Sequence, residues 1–255
     1  IAIANKESII CGWDLIQKEL KKNKTEFIPV DSEHFSIWYA LKDINKELIE
    51  KIYLTASGGP FLNKPLNKLK NVSSKQAIKH PNWKMGKKIS IDSATMMNKV
   101  FEIIEAKKIF NLSYKKLSIL IHPKSYVHAM IKFKNGLIKI VAHDTNMKIP
   151  IFNSLYSSNN FMNSKKLNLK ILNNLEFKEI NYKRFSVIKI LDKLPENSSL
   201  FETILVSIND KLVELFLANK IKFTDIPKKM HNMLDLNELK KYKMIKPRKI
   251  NDIIF

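Results

Sequence analysis

Two carboxylates stand two residues apart early in the sequence. Asp31 and Glu33 follow residues 26–30, an apolar segment with the pattern of a short strand. In an extended chain, residues i and i+2 point to the same side, so both carboxylates can face one point beyond the strand's end. Converging carboxylates repel each other unless a cation or a proton lies between them, and oxygen-only ligands favour Mg²⁺ or Mn²⁺. The pair predicts a divalent-metal site, and the alternative is a solvated acidic turn.

A second polar group accompanies the clearest helical pattern, over residues 94–110. We expect Ser93 or the residue before it to cap this helix, which places Ser93 where free backbone N–H groups favour an anion. Asn98 and Glu102 are four residues apart and share one helix face, which lets Glu102 reach a metal. We predict that a phosphate is held by Ser93, Asn98 and Lys99. The alternative is a capped amphipathic helix with a polar outer face.

A glycine pair and an aromatic segment lie between these two groups. Gly58 and Gly59 follow a predicted strand, and glycine lets backbone N–H groups come close to a phosphate. His80 and Trp83 belong to the same long stretch, residues 57–87, and offer an aromatic lid beside a polar ring. A plain turn is the alternative for the glycine pair, and a surface histidine and tryptophan without a role are the alternative for the lid.

The elements that must position these residues alternate along the chain. A strand, a helix and a second strand open the sequence, which is the rhythm of an α/β sheet. Residues 134–136 predict a hairpin turn, and residues 157–182, rich in Asn, Ser and Lys, indicate a connecting segment. The sequence predicts strands over residues 1–4, 26–30, 52–55, 119–121, 129–133 and 137–141, and helices over residues 9–20, 94–110 and 200–218.

The composition excludes several classes of protein. The chain has 255 residues, 45% of them hydrophobic, which is enough to bury a core and too apolar for a disordered chain. No apolar run approaches the roughly 18 residues of a membrane-spanning helix, and a single cysteine excludes a disulfide framework. The net charge of +21 suggests nucleic acid, yet the basic residues are 43 lysines and only two arginines, spread along the chain. We therefore interpret the charge as a solvated lysine coat, and expect no nucleic-acid or membrane partner.

Five motifs stand in order along the chain: Ala-Asn-Lys-Glu-Ser at 4–8, Pro-Val-Asp-Ser-Glu-His at 29–34, Ser-Gly-Gly-Pro-Phe at 57–61, His-Pro-Asn-Trp-Lys-Met-Gly at 80–86 and Asp-Ser-Ala-Thr-Met-Met-Asn-Lys at 92–99. Taken together, they resemble the 1-deoxy-D-xylulose 5-phosphate reductoisomerase family. The resemblance is dense from residue 1 to about residue 150 and fades after residue 185. It implies an enzyme that uses NADPH and Mg²⁺ or Mn²⁺ to rearrange and reduce a phosphorylated sugar in isoprenoid precursor biosynthesis.

The resemblance also implies roles for single residues, all named by their numbers in this sequence. The metal ligands would be Asp31, Glu33 and Glu102, and the cofactor NADPH would contact Asn5, Glu7 and Gly86. The catalytic residues would be Lys6, Glu33, His80 and Glu102, with Trp83 in a flap that closes over the site. The substrate would be bound by Lys6, Ser32, Glu33, Ser57, His80, Trp83, Ser93, Asn98, Lys99, Glu102, Ser125, His128 and Met147.

The implied architecture is an α/β catalytic domain with a mixed sheet, followed by a linker and a small C-terminal helical domain. We expect residues 1–30 to be the end of a dinucleotide-binding domain, 31–156 the metal- and substrate-binding domain, 157–182 the linker and 183–255 the helical domain. The chain opens with Ile1 and has no Gly-rich dinucleotide fingerprint, so we expect a fragment without turnover of its own. A homodimer in a bacterial cytoplasm, or alternatively a plastid, is implied by the resemblance.

Two other hypotheses remain beside this one. A lysine-rich nucleic-acid-binding protein would show affinity that falls steeply with salt. A decayed relative of the enzyme would keep the fold without the activity. Val100 supports the hypothesis of a decayed relative, because Val100 and Phe101 replace the Gly-Leu that usually follows the lysine of the motif. The altered C-terminal helix, over residues 196–210, supports it too.

Overall fold

The computed structural model describes residues 1–156 and 160–254 as strands and helices joined by short irregular segments. The strands are β1 (Ala2–Ile3), β2 (Ile28–Pro29), β3 (Ile49–Ala56), β4 (Leu117–Ile121), β5 (Val127–Phe133) and β6 (Ile138–Ala142). The α-helices are α1 (Lys6–Lys22), α2 (Ser32–Ala40), α3 (Ser74–Ala77), α4 (Lys87–Thr95), α5 (Met97–Phe110), α6 (Lys148–Leu155), α7 (Leu169–Leu172), α8 (Leu200–Leu217), α9 (Asp225–Leu234) and α10 (Asn237–Lys240). Short 3₁₀ helices cover Lys46–Leu48, Leu66–Asn71, Tyr114–Lys116, Ser186–Lys193, Lys241–Met244 and Ile250–Asp252.

A four-stranded mixed sheet lies at the centre of the fold, in the order β4-β3-β5-β6. Strand β3 is parallel to β4 and antiparallel to β5, and β5 is antiparallel to β6. The predicted hairpin joins β5 to β6, and Gly136 supplies the left-handed backbone of its turn, with φ +86°. A separate parallel pair, β1 and β2, is connected by α1. The predicted α/β fold with a mixed sheet is confirmed.

Helix α1 begins earlier than its apolar pattern predicts. The Asn5 side chain accepts a hydrogen bond from the Ser8 backbone N–H at 2.7 Å and caps the helix, so residues 5–8 form the cap and first turn. The helix buries Ile9, Ile10 and Trp13 on its inner side and packs against α5. The polar start of α1 therefore lies next to the elements that carry the predicted site.

The predicted single helix over residues 94–110 is wrong at its beginning. Two helices, α4 and α5, meet at Met96, whose left-handed backbone (φ +74°) ends one and starts the other. Ser93 lies in the last turn of α4, so it does not cap a helix. Asp92 is buried and accepts a hydrogen bond from Asn209 Nδ2 of α8 at 2.8 Å. The helix is interrupted between Ser93 and Asn98, and both residues line one cavity.

Two stretches predicted to be irregular contain local structure. The long loop over residues 57–87 includes α3 and the 3₁₀ helix Leu66–Asn71. The predicted linker contains α7, and its Lys178 forms an antiparallel bridge with Ile121 of β4, which ties the segment to the sheet. Residues 157–159 of that linker lie outside the described residues.

The C-terminal region is helical, as predicted. Helix α8 begins with a capping box in which the Glu202 side chain accepts from the Ser199 backbone N–H at 2.7 Å. One cluster of buried apolar side chains extends from Ile10 of α1 through Leu54 of β3 to Leu205 of α8. Among the described residues, no helix is both long enough and apolar enough to cross a membrane. The division of the chain into domains stays a prediction.

Candidate active site

Four carboxylates from two helices converge beside the end of β2. Asp31 caps α2 and Glu33 lies in its first turn, so the extended-chain argument for their convergence is wrong. They meet because the chain turns into a helix at Ser32, while Glu102 and Glu105 arrive from α5. Asp31, Glu33 and Glu102 each offer an oxygen, and these atoms lie within 4.8 Å of one another. We call Asp31, Glu33, Glu102 and Glu105 the carboxylate cluster.

Two buried lysines neutralise part of this charge. Lys6 Nζ lies 2.9 Å from Asp31 Oδ2, 3.2 Å from Glu105 Oε2 and 3.5 Å from Glu102 Oε1. Lys99 Nζ lies 2.9 Å from Glu33 Oε1 and also pairs with Glu102. Two ammonium groups therefore face four carboxylates, and full ionisation leaves two negative charges in excess. That excess equals the charge of one divalent cation, and the all-oxygen donor set fits Mg²⁺ or Mn²⁺.

The surroundings shift the acidity of these groups in opposite directions. Burial, together with the charge of Glu33, raises the pKa of Glu102 to about 7, although Lys99 and Lys6 oppose this shift. Burial by itself raises the pKa of Asp31, but the charge of Lys6, the neighbouring His34 and hydrogen bonds from Glu33 and Lys6 together outweigh it and hold that pKa well below its usual range. Burial lowers the pKa of Lys6, yet its carboxylate neighbours raise it well above the ordinary value. Without a further cation, a proton can occupy Glu102 or Glu105, since burial raises the pKa of both carboxyl groups.

A glycine turn brings a serine close to the bend between α4 and α5. Gly58 and Gly59 have φ values of +82° and +67°, which favour glycine. A Cβ on Gly59 would lie 2.8 Å from the Ala94 Cα, so the two main chains are in direct contact. Ser57, which precedes the turn, and Ser93 line one cavity with Asn98 and Lys99. The predicted anion-binding residues are brought together, with Asn98 and Lys99 in the first turn of α5 and Ser93 in the last turn of α4.

The segment that precedes α4, residues 80–86, lies over this cavity, and we call it the flap. His80 Nε2 lies 2.9 Å from Ser57 Oγ, and the ring of Trp83 contacts His128 edge-on, with 6.1 Å between ring centroids. Burial, and the positive charge of Lys99, lower the pKa of His80 to about 4. His80 is therefore neutral near pH 7, and its ring acts as one donor and one acceptor.

A pair of stacked histidines lies next to Trp83 of the flap. The rings of His128 and His143 are parallel within 19°, with centroids 3.8 Å apart. His128 Nε2 donates to the His143 backbone carbonyl at 3.1 Å, and burial lowers the pKa of His128 to about 4. Burial and the neighbouring His143 ring favour a neutral His128, and they outweigh the hydrogen bond to the carbonyl, which acts in the opposite direction. Ser125, in the preceding loop, has a left-handed backbone with φ +51°.

The cavity has a volume of about 270 Å³. A larger and mostly apolar groove of about 740 Å³ lies along α1, and none of the carboxylate cluster lines it. We place the site in the smaller cavity because the ionisable groups converge there. The predicted residues that line it are Asp31, Ser32, Glu33, Ser57, His80, Trp83, Ser93, Asn98, Lys99, Glu102, Ser125, His128 and Met147.

Four predicted residues lie outside that lining. Lys6 is buried against the carboxylate cluster. Asn5 caps α1 and Glu7 pairs with Lys88, and both line the apolar groove. Gly86 begins α4, with open space where a side chain would stand. The three residues predicted to contact NADPH therefore do not line the cavity, and their role stays a prediction.

Several polar residues at the site were not predicted from the sequence. His34 Nε2 donates to the Glu102 backbone carbonyl at 2.9 Å, and its Nδ1 lies 3.9 Å from both Asp31 and Glu105. Helical spacing could have indicated His34 and Glu105, since each lies three residues after a predicted ligand. Nothing in the local sequence indicates His143, because its contact with His128 depends on the register of β5 and β6.

Two family models match the chain. One, described as the 1-deoxy-D-xylulose 5-phosphate reductoisomerase C-terminal domain, matches residues 27–110, and the other, described as the DXP reductoisomerase C-terminal domain, matches residues 144–255. Among curated proteins, the 1-deoxy-D-xylulose 5-phosphate reductoisomerase of Pelagibacter ubique is 64% identical over 254 residues, which are 99% of this chain and 66% of that protein. The corresponding protein of Clostridium kluyveri is 43% identical over 227 residues, or 89% of this chain and 59% of that protein.

Solved structures agree with this similarity. A DOX-P reductoisomerase in complex with NADPH, fosmidomycin and magnesium has 35% identity and a TM-score of 0.87, over 100% of this chain and 64% of that one. The reductoisomerase of Zymomonas mobilis in complex with NADPH has 32% identity and a TM-score of 0.86, over 99% of this chain and 64% of that one.

These similarities cover the mixed sheet and the C-terminal helices together, so the fold is that of a reductoisomerase over its catalytic and C-terminal regions. The chain belongs to the 1-deoxy-D-xylulose 5-phosphate reductoisomerase family. It spans 66% and 59% of the length of the two curated relatives named above.

Proposed function

We propose that this chain forms the catalytic part of an enzyme that converts 1-deoxy-D-xylulose 5-phosphate and NADPH into 2-C-methyl-D-erythritol 4-phosphate and NADP⁺. The proposal rests on one observation above all. Three carboxylates that fit a divalent ion share one cavity with two serines, an amide and a lysine that fit a phosphate. A small sugar phosphate requires both features, because the metal would bind oxygens at one end of the sugar and the serine, amide and lysine side chains would bind the phosphate at the other.

The residues of the cavity divide the work between holding the metal and holding the substrate. Asp31, Glu33 and Glu102 would bind Mg²⁺ or Mn²⁺, which supplies Lewis-acid polarisation of the substrate oxygens. The buried ammonium of Lys6 lies 3.5 Å or less from two of these carboxylates and fixes their orientation. The phosphate would be bound by Ser57, Ser93, Asn98 and Lys99.

The overall reaction needs a rearrangement and a reduction. One carbon–carbon bond of the ketose breaks and another forms, which gives an isomeric aldehyde. NADPH then supplies a hydride to the aldehyde carbon, and a proton goes to its oxygen. The flap would exclude water from this cavity. Two of its residues line the cavity, where His80 contacts Ser57 and Trp83 contacts His128. We also propose that Asn5, Glu7 and Gly86 contact NADPH, because they stand at the start of α1 and of α4, next to the flap.

Two further parts of the proposal concern the oligomeric state and the cellular location. We propose a homodimer, supported by the apolar outer edge of β6, where Leu137, Ile138 and Ile140 are exposed. We place the activity in a bacterial cytoplasm, because the relatives named above are bacterial. Turnover is expected of the full-length protein, since this chain covers about two thirds of its relatives.

Metal binding by this chain tests the proposal directly. Asp31→Ala removes one ligand, and Mn²⁺ affinity measured by calorimetry should fall by about 100-fold or more, in the range of losses known for altered metal sites. The control is Glu179→Ala, which removes an exposed carboxylate far from the cluster and should leave Mn²⁺ affinity unchanged.

The same variants separate this function from nucleic-acid binding. A lysine-rich nucleic-acid-binding protein should bind polyanions more tightly when Asp31 is lost, because a negative charge is removed. Equal Mn²⁺ affinity in Asp31→Ala and in the unaltered chain, with tighter binding of DNA, would reject the proposed function.

A further inference from the structure

We propose that Asn82 is a positioning residue that holds the flap against the loop between β4 and β5 and thereby orients His80 and Ser57 for the phosphate. The inference rests on the proposed function, which it deepens. His80 and Trp83 of the flap line the cavity, whereas Asn82 is not among the described residues that do so. Asn82 therefore acts on the site through its neighbours.

The side chain of Asn82 fastens the flap to residues 123–125. Its Nδ2 donates to the Pro123 backbone carbonyl at 2.6 Å and to Ser125 Oγ at 2.9 Å. A backbone carbonyl can only accept, so the amide nitrogen and not the amide oxygen must face it. Both N–H groups of the amide are thus used, and the left-handed backbone of Ser125 places the second acceptor.

The backbone of Asn82 continues this connection toward the phosphate site. The N–H groups of Asn82 and Trp83 both point at His80 Nδ1, at 3.2 and 2.9 Å. A ring nitrogen that accepts carries no proton, so neutral His80 holds its proton on Nε2 and donates it to Ser57 Oγ at 2.9 Å.

Ser57 is the last member of this hydrogen-bonded series. Its oxygen accepts from His80 and also from the Gly59 backbone N–H at 3.1 Å. With two donors directed at the oxygen, the hydroxyl hydrogen of Ser57 remains available to donate to an oxyanion in the cavity. If Asn82 leaves the loop, the turn that directs two N–H groups at His80 is lost, and the proton on Nε2 is no longer specified.

The test replaces Asn82 by aspartate, which has the same shape but cannot donate to Pro123. In this chain, the hydrogen–deuterium exchange rate of residues 80–86 should rise about tenfold in Asn82→Asp, because the hydrogen bonds to Pro123 and Ser125 are lost. In the full-length enzyme the KM for the sugar phosphate should rise about tenfold with a much smaller change in kcat, because bound substrate restores the closed flap.

Asn23→Asp is the matched control, since Asn23 Nδ2 also donates to a backbone carbonyl (Glu19, 2.9 Å) but is exposed, and its side-chain bonds stay within the end of α1. Exchange and KM of this variant should equal those of the unaltered protein. If Asn82→Asp fails to fold, Ser125→Ala keeps the Pro123 contact, removes one acceptor and should give a smaller rise in flap exchange.

Each outcome decides the matter. Flap exchange in Asn82→Asp equal to that of Asn23→Asp overturns the proposal. A raised KM with unchanged flap exchange also overturns it, because Asn82 would then contact the substrate itself. Failure of the proposed function is recognised separately, since it would show as full-length protein that neither binds Mn²⁺ nor turns over, whatever the flap does.

Discussion

At the scale of single residues, Lys99 lies between the two halves of the site. Its ammonium contacts Glu33 and Glu102, two of the three carboxylates that fit a metal, and it lines the cavity beside Ser57, Ser93 and Asn98. A metal ion bound to these carboxylates would compete with the Lys99 ammonium for the same oxygens. A phosphate on the serine side attracts the ammonium away from them, so the two ligands should favour each other's binding.

This competition predicts that inorganic phosphate raises the affinity of the chain for Mn²⁺ by about five- to tenfold, within the usual range of coupling between sites. Lys99→Met should bind Mn²⁺ at least as tightly as the unaltered chain, because a positive charge next to the ion is gone, and should lose the effect of phosphate. Electron paramagnetic resonance of free Mn²⁺ at constant ionic strength measures both. The control is Lys87→Met, which removes an exposed lysine and should keep the effect of phosphate. A phosphate effect that persists in Lys99→Met would contradict the competition.

At the scale of elements, the flap depends on the protonation of one half-buried ring. The pKa of His80 is lowered to about 4 by burial and by Lys99, with Glu33 acting in the opposite direction. Docking of the flap requires an unprotonated Nδ1, because two backbone N–H groups donate to it. The docked flap therefore binds fewer protons than the undocked flap between pH 4 and the ordinary histidine value near 6.5.

Flap docking should consequently be strongest above about pH 6.5 and should weaken as the pH falls toward 4. The protection of residues 80–86 from hydrogen exchange, corrected for the intrinsic pH dependence, should fall several-fold for each pH unit. The fall should stay below the roughly tenfold per pH unit that one fully coupled proton would give, since His80 keeps some solvent contact. His80→Gln should show low protection at all pH values. A pH-independent protection in the unaltered protein would show that His80 does not control docking.

The element scale also shows how far sequence reasoning reaches. The central strands, the hairpin at Gly136 and helix α8 follow from apolar patterns and turn residues, which act locally, whereas the mixed sheet was implied by the resemblance. The break at Met96 does not follow, because the sequence there contains no glycine or proline and the left-handed residue is fixed by packing. Asp31 and Glu33 were expected to converge through an extended chain, and they converge through a helix start instead. The chemistry of the residue types was therefore informative where the local geometry was not.

The candidate site shows the same limit. Residues within one motif, such as Asn98 and Glu102, were grouped correctly because helical spacing relates them. Glu105 bonds to Lys6, which is 99 positions away in the chain, and His143 stacks on His128 across two strands. Contacts of this kind depend on the register of whole elements, and a single sequence carries no direct record of them.

At the scale of the whole molecule, the sheet has one open edge that is apolar. Strand β6 ends the order of strands, and Leu137, Ile138 and Ile140 on or beside it are 66%, 58% and 49% exposed. An edge strand presents unpaired backbone groups, and exposed apolar side chains along it indicate an interaction surface. A second copy of the chain provides the same edge and satisfies both requirements.

The homodimer predicts that Ile140→Lys yields a monomer, because a buried charge at an apolar interface is costly. Light scattering coupled to size exclusion should report twice the chain mass for the unaltered protein and the single mass for the variant. Leu167→Lys is the control, since Leu167 is 67% exposed in the segment before α7 and should leave the dimer intact. A monomeric unaltered protein, or a dimer that survives Ile140→Lys, would argue against this edge.

The contact between Gly59 and Ala94 has a consequence for what the site can accept. Two main chains touch there without an intervening side chain, so no rotamer change can widen or narrow the gap between them. The spacing of the main chains that carry Ser57 and Ser93 is consequently set by atomic radii, and only rotation of the two side chains adjusts the distance between their hydroxyls. An anion held between them is selected by its dimensions as well as by its charge, and a bulkier group cannot enter without separating the two chain segments.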